Sequence, residues 1–95
     1  MEIIWSEEAA EDYYQNIGYL LESWSEKSAM NFINEVDSVL EIIKERPEVY
    51  PLSGYRSVRK AVIRKQITLF YKVEGTRVYL VRFWNNYQDP ESMKL

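Results

Sequence analysis

The hydrophobic period of this chain changes once, and that change restricts what it can fold into. Between Glu7 and Glu45 apolar residues return every three or four positions, the pattern of helices with one buried face. From Val58 to Trp84 they alternate, the pattern of strands. Pro47, Pro51 and Gly54 punctuate the gap as a loop. A chain of 95 residues has room for one core. Neither the helices nor the sheet can bury an apolar face alone, so each must cover the other. The expectation is a single α+β domain over residues 1–95, with an N-terminal strand and a helical hairpin packed on a four-stranded, largely antiparallel sheet.

Local signals set the boundaries. Glu2–Trp5 is short, apolar and β-prone, a first strand. Ser6 is a good N-cap, and Glu7 and Glu8 put negative charge where the helix dipole favours it. A helix over Glu7–Glu22 follows, with Ala10, Tyr14, Ile17, Leu21 and Trp24 as its inward stripe, widened by Tyr13 and Leu20. Gly18 in mid-helix costs about 1 kcal/mol relative to Ala, and close packing of the neighbouring helix is the expected reason for it. Ser25 caps a second helix over Glu26–Glu45, whose stripe is Ala29, Phe32, Ile33, Val36, Val39, Leu40 and Ile43. Pro47 stops it. Strands are expected at Val58–Lys65, Thr68–Val73 and Arg77–Trp84, joined by turns at Lys65–Gln66 and Glu74–Thr76. On the last strand Val78, Leu80, Arg82 and Trp84 should share one face, with Tyr79, Val81 and Phe83 on the other.

The charge is uneven. Ahead of Lys44 ten acids stand against Lys27 alone, for −9, and from Lys44 on eleven bases stand against five acids, for +6. Two electrostatic faces are therefore expected, the basic one carried by the sheet, the alternative being that each half neutralises the other inside one fold. Neither Cys nor His is present, so thiolate and imidazole metal sites are excluded, as is the commonest general base. No metal or other cofactor is expected. Residues 1–8 have no basic n-region and no apolar h-region, and no apolar run approaches about 18 residues, so the expected location is cytoplasmic.

The order strand, helical hairpin, Pro/Gly loop and three-stranded meander resembles the RelE/ParE superfamily of bacterial toxins, the toxic halves of type II toxin–antitoxin pairs. Ile4-Trp5-Ser6 resembles the family's opening strand and cap. Pro47, Gly54 and Arg59 resemble its loop and the Arg that begins its sheet. Residues 67–75 resemble its central hairpin, and Val78-Tyr79-Leu80-Val81-Arg82-Phe83-Trp84 its last strand. Tyr87-Gln88-Asp89-Pro90 resembles the tail of ParE-like members. The resemblance implies a cognate antitoxin as partner and two opposed mechanisms. RelE-type members cut messenger RNA on the ribosome with a cluster of Arg and Lys and a Tyr. ParE-type members poison DNA gyrase and cut nothing.

Chemistry weighs on that choice. Cleavage by a 2′-OH needs a group to take its proton and cations to stabilise the phosphorane. Arg59, Arg64, Arg82 and Tyr87 are the catalytic candidates for the RelE-type reaction, but Asn85 stands where many members carry His or Asp. The expectation is a ParE-like gyrase poison. The alternatives are a ribosome-dependent mRNA endoribonuclease and an inactive binding module of the same fold. Candidate residues for contact with target or antitoxin are Arg59, Lys60, Arg64, Arg82, Trp84 and Tyr87. Arg59 and Lys60 are consecutive and so point to opposite faces. Arg82 reads equally as a site cation and as a partner for a helix acid, while Tyr87 is expected to cap the core. The antitoxin should bring an acidic amphipathic segment over the hairpin or sheet, pairing with Arg59, Arg64 or Arg82.

Overall fold

The computed structural model describes residues 1–87 and Met93. The expected Gln88-Asp89-Pro90 tail lies outside the described residues. Six elements follow in order: β1 (Glu2–Trp5), α1 (Glu7–Ser23), α2 (Glu26–Glu45), β2 (Val58–Arg64), β3 (Ile67–Glu74) and β4 (Arg77–Asn85). The sheet order is β1-β4-β3-β2. β1 pairs parallel to β4, while β2, β3 and β4 form an antiparallel meander. Among the described residues no helix is long and apolar enough to cross a membrane.

Ser6 shows how sequence sets both the helix and the sheet edge. Its backbone is extended, and its Oγ accepts the Ala9 N–H at 2.9 Å as an N-cap. The same hydroxyl donates to the Val81 carbonyl at 2.9 Å. β1 reaches only as far as Trp5 opposite Leu80, so without Ser6 the remaining edge of β4 would be open. Ser25 caps α2 in the same way, accepting the Ser28 N–H at 3.1 Å. The two-residue turn after β3 has Gly75 at φ 60°, a left-handed conformation that suits glycine.

The main core lies between the hairpin and the sheet. Ala9, Phe32, Val36, Leu40 and Ile43 meet Ala61, Leu69, Tyr71, Val78, Leu80 and Phe83. A second cluster covers the opposite face, where Val58, Phe70, Trp84 and Met93 pack together. β3 is thus covered on both sides, which explains its unbroken buried run from Ile67 to Tyr71. Tyr71 is fully buried, and its hydroxyl donates to the Pro47 carbonyl at 2.8 Å, tying the loop after α2 to the middle of the sheet.

Two expectations are corrected. The first is the inward face of α1. The residues that pack are Ala9, Tyr13, Ile17 and Leu20, whereas Tyr14, Leu21 and Trp24 are exposed. A Cβ built on Gly18 meets nothing within 4 Å, so close packing by α2 is not the reason for that glycine. The second is the alternation along β4. Phe70 pairs with Arg82 but Tyr71 pairs with Leu80, so Val81 is an extra residue, a β-bulge. The bulge shifts the pattern by one residue. Val78, Leu80 and Phe83 face the helices, and Trp84 faces the second cluster.

Candidate functional site

The six candidate residues are dispersed by the fold. Arg59 pairs with Tyr71 across the ladder, and its Nη1 donates to the carbonyls of Tyr50 (2.8 Å) and Glu48 (3.3 Å). It is a tie for the loop. Lys60 is exposed on the opposite face, beside Phe70. Arg64 reaches α2 instead, with its Nε 2.7 Å from Glu35 Oε1, its Nη2 2.6 Å from the same oxygen, and its guanidinium 5.3 Å from the Phe32 ring centre.

Arg82 is held most firmly. Its Nε and Nη2 donate to the two oxygens of Asp12 at 2.7 and 2.9 Å, a bidentate pair. Asp12 Oδ2 also accepts the Phe83 N–H at 3.1 Å, closing the β4 edge just past Ser6. The guanidinium stands 5.2 Å from the Trp84 ring centre, a cation–π contact. The hydrogen bond to Asp12 is the main reason that the Arg82 pKa is raised, with further help from the charges of Asp12, Glu8 and Glu11. Of its two sequence readings, partner to a helix acid is the one realised. Trp84 itself is buried under Met93, and among the described residues its Nε1 has no hydrogen-bond partner.

The two electrostatic faces are therefore only partly present. Arg64–Glu35, Arg77–Glu2 and Arg82–Asp12 all join the basic half to the acidic half. An acidic antitoxin segment would find Arg64 and Arg82 already engaged.

Tyr87 departs from expectation too. It does not cap the core but is 78% exposed. It lines a groove of about 520 Å³ at the end of the sheet, together with Tyr19, Trp24, Arg64, Asn16 and Asn85 over a floor that includes Phe32 and Ile67. Arg64 and Tyr87 are the two candidates that meet in this groove, while Arg82 and Trp84 meet elsewhere on the sheet. Tyr19 and Trp24 belong to the groove as well; the helical stripe places Trp24 inward, yet it is 70% exposed. Their available signal was position. Both lie at the C-terminal end of α1, where the hairpin turns away from the sheet.

Burial raises the Tyr13 and Tyr71 pKa values above 10.0, so both phenols stay protonated at neutral pH. Among the described residues no grouping of three or more Asp and Glu could hold a metal ion.

The sequence profile of the ParE toxin of type II toxin–antitoxin system, parDE, matches residues 3–90. The chain belongs to this family. The toxin is similar in fold to a protein of the chromosomal ParDE system of P. aeruginosa, at TM-score 0.76 and 14% identity over 90% of this chain and 95% of that one. It is also similar to the YoeB/ParE toxin from Agrobacterium tumefaciens, at TM-score 0.68 and 15% identity over 90% and 98%. A third similar fold lies in the heterotetrameric YoeB–YefM toxin–antitoxin complex from Staphylococcus aureus, at TM-score 0.63 and 15% identity over 88% and 94%. No curated protein sequence matches the toxin. A protein antitoxin is the partner that membership of the family entails. ParE and YoeB toxins share this fold, so the choice of mechanism rests on side chains.

Proposed function

We propose that the toxin acts as ParE-type toxins do, by holding DNA gyrase without chemistry of its own, and that a cognate antitoxin neutralises it in the cytoplasm. The observation that carries this reading is the engagement of the arginines. Arg59 is tied to loop carbonyls, Arg64 to Glu35 and Arg82 to Asp12, at separate places on the sheet. A phosphorane needs several cations converging on one point, and general acid–base help typically adds a further ~10²–10⁴-fold. Here each of the three arginines is already held by a different partner. Recognition of a protein target falls instead to the groove at the end of the sheet, where exposed Tyr19, Trp24 and Tyr87 supply the aromatic anchors common at interfaces.

One observation favours a second reading, messenger cleavage on the ribosome. Arg64 and Tyr87 line the same groove, a cation and a hydroxyl within one concave surface. Purified toxin separates the two. The gyrase reading expects inhibited supercoiling or trapped cleaved DNA, weakened by Trp24→Ala, with ribosome-bound messenger left intact. Codon-specific messenger cleavage abolished by Arg64→Ala or Tyr87→Phe would replace it with the ribosomal reading.

A further inference from the structure

Helix α1 has a second apolar side that the fold leaves uncovered. Tyr14 is 69% exposed and Leu21 50%, and between them lies Gly18, at i+4 from one and i−3 from the other. These three form one strip, about 10 Å long at a rise of about 1.5 Å per residue. It is distinct from the side that presents Asn16 and Tyr19 to the groove. Met30 on α2 is likewise exposed, at 53%. Met30, Ile33 and Asp37 share one flank of α2 by helical spacing, and the two helices meet through Tyr13 and Phe32, whose ring centres are 5.7 Å apart.

Three properties of this strip point to a partner of one kind. Large apolar side chains stay in water although the core has its own complement. Gly18 weakens α1, yet a Cβ there meets nothing, so the fold itself gives no reason for the glycine. A bare backbone at that point lets another chain approach closely. The rim is acidic. Glu7, Glu11 and Glu22 lie along α1 and Asp37 along α2, and none of them has a salt bridge among the described residues. No Lys or Arg lies on α1 at all. Two copies of this surface would repel, and nucleic acid would be repelled as well.

We infer that the outer seam of the helical hairpin, centred on Tyr14, Gly18 and Leu21, docks an amphipathic helix of a protein partner that carries Lys or Arg along the edges of its apolar face. The partner lays apolar residues at helical spacing over Tyr14 and Leu21 and crosses α1 at Gly18, where no side chain holds it off. Its basic edges meet Glu7, Glu11, Glu22 and Asp37, which gives fast association at low salt. The expected charge is opposite to the acidic segment that the sequence suggested, because the arginines such a segment would seek are already paired. The surface stands whichever target the toxin acts on.

The test uses full-length toxin and two designed 18-residue helical peptides with the same leucine face, one flanked by lysine and the other by glutamate. Binding is followed by amide chemical shifts in ¹⁵N-labelled toxin, and each variant's melting curve is checked. The lysine peptide should bind at least tenfold more tightly, with shifts centred on residues 14–21. Tyr14→Ala with Leu21→Ala, which leaves every charge in place, should weaken it at least tenfold. Glu11→Lys with Glu22→Lys should do the same. Equal binding of the two peptides, shifts centred on the sheet or the groove, or an alanine pair that binds as well as wild type would each overturn the inference. So would a toxin dimer in sedimentation whose shifts map to Tyr14 and Leu21. Gyrase inhibition is read on the wild type in a separate assay, so failure here and failure of the gyrase reading are distinguishable.

Discussion

Breaking the Asp12–Arg82 pair tests whether Arg82 holds the fold together or meets a target. The Asp12 carboxylate accepts three hydrogen bonds, two from Arg82 and one from the Phe83 N–H. The Arg82 and Asp12 side chains are 23% and 13% exposed, so the pair is mostly out of water. Removing one partner of a buried pair costs about 3–5 kcal/mol. The residual exposure lets water compensate in part, so Asp12→Ala should cost about 3 kcal/mol, the low end of that range. Arg82→Ala leaves Asp12 with the Phe83 N–H and some solvent, and should cost about 2 kcal/mol. If the double variant also costs about 3 kcal/mol, the coupling energy is about 2 kcal/mol. A domain of this size loses roughly 4–8 °C of Tm per kcal/mol, so Asp12→Ala should melt roughly 12–24 °C below wild type. Urea unfolding of the four proteins of the cycle measures the coupling directly. A value below about 0.5 kcal/mol, the scale of an exposed pair, would refute the reasoning. Arg82→Ala protein that is folded at 25 °C should still inhibit gyrase, because the lost group was structural.

Gly18→Ala should stabilise the isolated toxin by about 0.5–1 kcal/mol, since α1 gains a better helix former and the new methyl meets nothing within 4 Å. A lower urea midpoint would show that the site is tighter than described. Alkaline pH should destabilise the toxin. Tyr13 and Tyr71 have folded-state pKa values raised above 10.0 by burial, so below pH 10 both are protonated in the folded and the unfolded chain and their contribution to stability is fully present. As pH rises past 10 the unfolded chain loses protons that the folded chain keeps, and stability falls by up to about 1.4 kcal/mol per pH unit for each tyrosine. Melting curves between pH 9 and 11 should show the fall, and Tyr71→Phe should flatten it. An unchanged slope in that variant would assign the effect elsewhere.

The element order was legible because each element carries its own signal. Ser6 and Ser25 cap, Pro47 stops, and the period changes from helical to alternating where the loop falls. Strand and helix ends came within one or two residues for that reason. What escaped depended on contacts far apart in sequence. The bulge at Val81 lies where β4 pairs with β3 on one side and is closed by Ser6 and Asp12 on the other, and none of this is visible in the alternation of Arg77–Trp84. Likewise α1 carries apolar residues around more than half its circumference, and periodicity alone cannot say which half the sheet covers. The groove went unseen because Tyr19 and Trp24 look the same as core aromatics until the hairpin turn places them at an end of the sheet.

The charge division teaches a related lesson. Counted along the chain, −9 and +6 look like two faces for two partners. In the fold, Glu2, Asp12 and Glu35 from the first half are taken by Arg77, Arg82 and Arg64 from the second. These pairs stitch β1 to β4, α1 to β4 and α2 to β2, so three of the eleven bases are neutralised inside the molecule. The helices hold more acids than the sheet engages, and the surplus stays on the outside of the hairpin. A partner that reads this toxin by charge therefore meets an acidic surface first. The sheet offers Lys60 and Lys72, neither in a salt bridge among the described residues, beside arginines that already have partners.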